Sequence, residues 1–152
     1  MGSLAELVAL VIIMCTSVTM SLAQNPMAPT SSENPNTTVV IYNDLEGSWP
    51  MSYHCISRDV DFGIRRMPSG GSWSFEFRPS AAGDTIFLCS FAWRLAYRYF
   101  RIYIQERDQE SAMFGCKRCE WKIREGGPCQ LNKRTGKFDH CPPWDSQLFE
   151  NN

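Results

Sequence analysis

Ser72-Trp73-Ser74-Phe75-Glu76-Phe77-Arg78 decides the fold class. Polar and aromatic residues alternate through it without a break. In an extended chain the aromatics therefore line one face and the polar groups the other. Cys119-Glu120-Trp121-Lys122-Ile123-Arg124 repeats the pattern. Thr85, Phe87, Cys89 and Phe91 share a face, as do Phe100, Ile102 and Ile104, with Tyr99, Arg101 and Tyr103 on the opposite side. Residues 39–42, 51–57, 129–132 and 137–141 read as further strands. Clusters of turn formers separate them: Met67-Pro68-Ser69-Gly70-Gly71, Ala82-Gly83-Asp84, Gly126-Gly127-Pro128 and Asn132-Lys133-Arg134-Thr135-Gly136. No sustained helical stripe interrupts the series. About eight short strands at this spacing predict an all-β fold, a small antiparallel β-sandwich with an aromatic core.

Upstream of the strands, residues 7–23 carry no charge and are rich in Leu, Val, Ile, Ala and Met. Four hydroxyl residues dilute their second half, and a membrane span needs about 20 mostly apolar residues. Ser21-Leu22-Ala23 places small residues where a signal peptidase reads, so residues 1–23 are expected to be a cleaved secretory signal. Residues 24–38 hold Pro26, Pro29 and Pro35 among Ser and Asn, and read as a flexible arm. Asn36-Thr37-Thr38 is an N-glycosylation sequon at its end, with Asn36 the acceptor. Residues 39–144 form the expected domain and 145–152 a tail.

The whole chain has 152 residues, 15 basic and 16 acidic, for a net charge of −1. Cleavage after Ala23 removes Glu6 and no base, leaving a balanced charge that excludes bulk electrostatic attachment to nucleic acid or anionic lipid. It also removes Cys15, one of seven cysteines. Cys55, Cys89, Cys116, Cys119, Cys129 and Cys141 are left. An even set in an oxidising compartment reads as up to three disulfides of open connectivity.

Several patterns invite chemistry. Cys116-Lys117-Arg118-Cys119 has thiol-redox spacing, but its second cysteine opens a strand and no helix is expected to lower the first thiol's pKa. Structural cystines are the better reading, and a zinc site built from the last four cysteines needs reduced sulfur. Asp59-Val60-Asp61-Phe62-Gly63 lacks the Glu and the third acidic or amide ligand of a calcium loop, and reads as a solvated turn. His54 and His140 each precede a cysteine. Two histidines can cleave RNA by general acid–base catalysis if both reach one phosphate, so a ribonuclease-type enzyme is the alternative from another class. No nucleophile motif, metal site or cofactor site is expected. Arg94, Arg98 and Arg101 interleave with Tyr97, Tyr99, Phe100 and Tyr103 as a polar sheet face or protein-contact patch rather than a nucleic-acid site.

Taken in order, these landmarks resemble the plant self-incompatibility S-protein family, also called S-protein homologues. Asn43-Asp44-Leu45 follows the first strand. His54-Cys55-Ile56-Ser57 leads into Asp59-Val60-Asp61-Phe62-Gly63, similar to the family's HCxS…DxDLG with Phe62 in place of Leu. The run from Gly83 through Thr85, Phe87, Cys89 and Phe91 to Trp93 resembles GxTxFxCxFxW. Cys119-Glu120-Trp121-Lys122-Ile123 with Gly127-Pro128-Cys129, and Cys141-Pro142-Pro143-Trp144, complete five blocks in register.

The resemblance implies a secreted plant recognition protein. It would act as an extracellular ligand for a membrane or extracellular receptor rather than as an enzyme, without membrane insertion and with oligomeric state open. Stigma proteins that arrest incompatible pollen are the best-known members, whereas most homologues have no assigned role. A cysteine-rich defence or inhibitor protein is a further alternative. The expected recognition elements are Trp49 in the 45–50 loop and the polar connection bearing Glu106, Arg107, Asp108, Gln109 and Glu110. The expected pairing is Cys55–Cys141, Cys89–Cys119 and Cys116–Cys129.

Overall fold

A computed structural model describes residues 36–145. The expected signal, most of the arm and nearly all of the tail lie outside the described residues. Within them are nine strands and one helical turn: β1 (Thr37–Asn43), β2 (Met51–Ile56), β3 (Asp61–Met67), β4 (Ser72–Phe77), β5 (Ile86–Trp93), β6 (Ala96–Ile104), α1 (Gln105–Asp108), β7 (Arg118–Arg124), β8 (Gly127–Asn132) and β9 (Lys137–His140). They form a five-stranded sheet in the order β4-β1-β7-β8-β9 and a four-stranded sheet in the order β3-β2-β5-β6.

The alternation seen in sequence is what fills the space between the sheets. Val39, Ile41, Phe75, Cys119, Trp121 and Ile123 from the larger sheet share one buried cluster with Met51, Tyr53, Phe87, Phe91 and Phe100 from the smaller. Aromatic rings make much of the contact, as where Phe100 meets Trp121 edge-on at 5.0 Å and Phe77 meets Tyr103 at 4.8 Å. Such pairs add about 0.5–1.5 kcal/mol beyond the area they bury. β1 starts at Thr37, two residues before the expected start.

Apart from the disulfide pairing, four features depart from the sequence reading. β3 occupies part of the segment expected to be a solvated turn. Phe62 turns inward there against Trp73 (5.3 Å), Phe75 (4.7 Å) and Phe87 (6.1 Å). The β2–β3 register shifts by one residue next to Gly63, whose φ of +69° suits glycine. That extra residue lets Phe62 and Met67 both face the core, and it breaks the period that would have announced a strand.

β1 and β7 run parallel, with Ile41 opposite Trp121, in an otherwise antiparallel structure. Tyr103, expected outside, is buried, because a register shift in the β5–β6 pairing at Phe87 and Leu88 reverses the phase of β6 beyond Ile102. Finally, the start of the long polar connection is the helical turn α1, with Asp108 fully buried.

The disulfides are Cys55–Cys89, Cys116–Cys119 and Cys129–Cys141, so the expected pairing is corrected throughout. The expectation let cysteines bridge from sheet to sheet. Packed sheets stand about 10 Å apart, whereas disulfides join Cα atoms within about 7 Å. Each bridge instead takes the local partner. Cys55 lies directly opposite Cys89 in the β2–β5 ladder, with Cα atoms 4.0 Å apart. Cys129 and Cys141 extend the pairing of Gln130 with His140, and their Cα atoms are 4.1 Å apart. Cys116 and Cys119 close the turn entering β7.

Candidate functional site

The loop between β1 and β2 is built on Asn43, which is 1 % exposed. Its Nδ2 donates to the carbonyls of Trp49 (2.8 Å), Pro68 (3.1 Å) and Met67 (3.4 Å), and its Oδ1 accepts from the Leu45 amide at 3.3 Å. One side chain thus ties this loop to the β3–β4 turn. Asp44 pairs with Arg124 at 2.8 Å and Lys122 at 3.4 Å, anchoring the loop's start to β7. Partial burial would raise the Asp44 carboxyl, but those two cations hold it below the ordinary carboxylate value. Gly47 is required here, since a Cβ would sit 1.8 Å from the Trp49 indole nitrogen.

Trp49 is thereby held half-buried, with the Arg94 guanidinium 4.4 Å over its ring. Arg94 stands at the tip of the β5–β6 hairpin with φ of +48°, and Ser48 in the facing loop has φ of +54°. Both values belong to the left-handed region, which costs a non-glycine residue about 1–2 kcal/mol. Trp49, Pro50, Ser52, Arg66, Trp93 and Arg94 line an open cleft of about 370 Å³.

The second expected element separates into structural and exposed parts. Asp108 accepts from the Ile104 amide at 2.9 Å and from the Arg107 guanidinium at 2.7 Å. Arg107 also donates to the Arg101 carbonyl at 2.9 Å and lies 5.2 Å from the ring centroids of Phe100 and Trp121. These two residues roof the core. Glu106, Gln109 and Glu110 remain at the surface. Gln109, Glu110, Cys116 and Tyr103 border a further cavity of about 240 Å³.

The two histidines belong to different sheets and share no partner. His54 in β2 meets Asp61 at 2.6 Å, and that contact, aided by the Gly63 amide, holds the Asp61 carboxyl low. His140 in β9 stacks on Phe114 at 3.8 Å. Burial, helped by the nearby Arg107 charge, pushes the His140 imidazole below its usual value. The side-by-side placement on which a two-histidine catalytic pair depends is not formed. Among the described residues no three His, Cys, Asp or Glu side chains gather as metal ligands. No helix among them is long and apolar enough to cross a membrane.

Asn36 lies at the surface, its amide nitrogen donating to Glu76 at 2.6 Å. Sequence reasoning missed Asn43 as a structural pin, Arg94 as the partner of Trp49, and Arg66. An arginine at the first central position of a two-residue hairpin, where glycine is favoured, was the available signal for Arg94.

Fold and site together define a small, disulfide-tied β-sandwich that presents a rigid aromatic–cationic cleft. Residues 38–144 match the model of the plant self-incompatibility protein S1 family, and the chain belongs to that family. S-protein homolog 2 of Arabidopsis thaliana is 42 % identical over 127 residues, covering 82 % of this chain and 76 % of the relative. S-protein homolog 3 of the same plant is 36 % identical over 110 residues, covering 72 % and 73 %. A solved structure from work on self-incompatibility protein homologues, described as small, highly stable, secreted plant proteins, aligns with 76 % of this chain and 98 % of its own. Its TM-score is 0.49 and its identity 21 %.

Proposed function

We propose that the protein is a secreted plant recognition protein, acting as an extracellular ligand for a cell-surface partner. The observation that carries this reading is the Asn43-pinned loop, which holds Trp49 against Arg94 before any partner arrives. A preordered aromatic loses little freedom on binding, and Trp and Arg are the side chains on which protein interfaces most depend. Three disulfides belong to an oxidising compartment and support secretion, as does the apolar N-terminal segment. Glu106, Gln109 and Glu110 form the second contact surface. Asp108 and Arg107 maintain its shape from below.

Labelled, oxidised protein titrated onto intact plant cells tests this reading. Saturable binding, displaced by unlabelled protein and abolished by mild protease treatment of the cells, is the expected result. Linear, unsaturable uptake refutes it. RNA cleavage lost on replacing His54 or His140 would refute it in favour of an enzyme.

A further inference from the structure

The cleft beside Trp49 is more specific in chemistry than a generic contact surface. Arg66 and Arg94 both line it, and no carboxylate does. The Arg66 guanidinium makes no hydrogen bond or ion pair with another described side chain, and Arg94 is held only by its position over Trp49. Several other basic residues are matched by carboxylates: Arg58 meets Asp84, Arg101 meets Asp145, and Lys122 and Arg124 meet Asp44. Two uncompensated guanidinium groups facing one cleft favour an anion, and a carboxylate fits their planar donor forks.

The surroundings are apolar. Leu95, next to Arg94 at the hairpin tip, is 104 % exposed, and Tyr97, opposite Ala92 of the cleft floor, is 53 % exposed. Pro50 and Trp49 close the other side. A fully exposed leucine contributes nothing to this fold, but it supplies an apolar knob for another protein's surface. Arginine, tryptophan and tyrosine beside it make the composition of an interface core. The loop and the hairpin tip meet where Arg94 lies over Trp49, and each carries one residue of left-handed backbone, Ser48 and Arg94.

We infer that this cleft docks a carboxylate-bearing, apolar-flanked segment of a partner protein, the carboxylate bridging Arg66 and Arg94. The inference rests on the ligand reading above and names the chemistry its partner presents.

Phage-displayed random dodecapeptides, selected on the immobilised oxidised protein, probe the cleft directly. Enriched peptides are expected to carry Asp or Glu beside an apolar residue. Their affinity, read by tryptophan fluorescence, should fall at least about tenfold in Arg66→Ala and in Arg94→Gly, the loss of roughly one charge-assisted hydrogen bond. Both variants should stay folded. Arg66 is exposed and unpaired, and in Arg94→Gly relief of the left-handed backbone offsets the lost contact with Trp49.

Selected peptides without carboxylates, or equal binding to wild type and both variants, overturn the inference. So does an oligouronate that binds as tightly as the best peptide, because the cleft would then read charge alone. On cells, saturable binding that the double variant retains in full removes this inference and leaves the ligand reading standing. Failure of the wild type to saturate removes the ligand reading itself.

Discussion

Removing the three disulfides one at a time, by replacing both cysteines of a pair with alanine, separates topology from packing. The bridges close segments of 34, 12 and 3 residues for Cys55–Cys89, Cys129–Cys141 and Cys116–Cys119. Loop-closure entropy then assigns them about 3.8, 2.8 and 1.6 kcal/mol at 25 °C. Packing adds to this. Cys55, Cys89, Cys116 and Cys119 are all buried, whereas Cys129 is buried and Cys141 exposed. Each buried sulfur lost leaves a methylene-sized void worth about 1 kcal/mol. The losses become about 6 kcal/mol for the Cys55–Cys89 pair and about 4 for each of the others.

The gap of about 2 kcal/mol corresponds to roughly 8–12 °C of melting temperature in a domain of this size. Urea unfolding monitored by tryptophan fluorescence, with thermal denaturation beside it, measures the gap. Full reduction removes about 8 kcal/mol of cross-link entropy, comparable with the whole stability of a small domain, so the reduced chain should unfold near 37 °C. Equal losses for the three pairs, or a larger loss at Cys116–Cys119 than at Cys55–Cys89, would refute the reasoning.

Other perturbations reach the site. Asn43→Ala leaves the Trp49 and Pro68 carbonyls without their buried donor and should cost about 2–3 kcal/mol. Faster quenching of Trp49 fluorescence by acrylamide should accompany that loss. Asp44 has its folded pKa lowered, so its contribution is present above the unfolded value of 3.8 and disappears as pH falls through the lower folded value. The stability difference between wild type and Asp44→Asn should therefore be constant near neutrality and close below about pH 4. Phe62→Ala, which empties an aromatic cluster, should cost about 3 kcal/mol in urea unfolding, whereas a solvated-turn phenylalanine would cost almost nothing. Protein secreted by plant cells should lose mass on endoglycosidase digestion, and Asn36→Gln should abolish that shift.

Legibility followed periodicity. Where alternation is unbroken, as in Ser72–Phe77 and Arg118–Arg124, strand and inward face could both be read, because each residue's side is set by its own position in the pleat. Where a ladder slips, the reading failed. One register shift beside Gly63 hid β3, and another at Phe87 put Tyr103 inside. A bulge is a relation between two strands, so neither strand's sequence displays it. Within the site, Trp49 stood out as an aromatic in a polar loop. Arg66 did not, since it reaches the same cleft as Arg94 from a strand distant in sequence.

An all-β chain with an aromatic core, six cysteines in its expected mature part and the ordered motifs of its family were all legible in the linear order of residues. These are properties of single segments, written in local alternation and spacing. Tertiary structure alone decided which cysteines meet, that β1 and β7 run parallel, and that His54 and His140 stand in different sheets. It also decided that two arginines and two tryptophans share one cleft. The physical reason is common to all of these: each depends on strand order and register, which many weak contacts between distant segments settle together once the core closes.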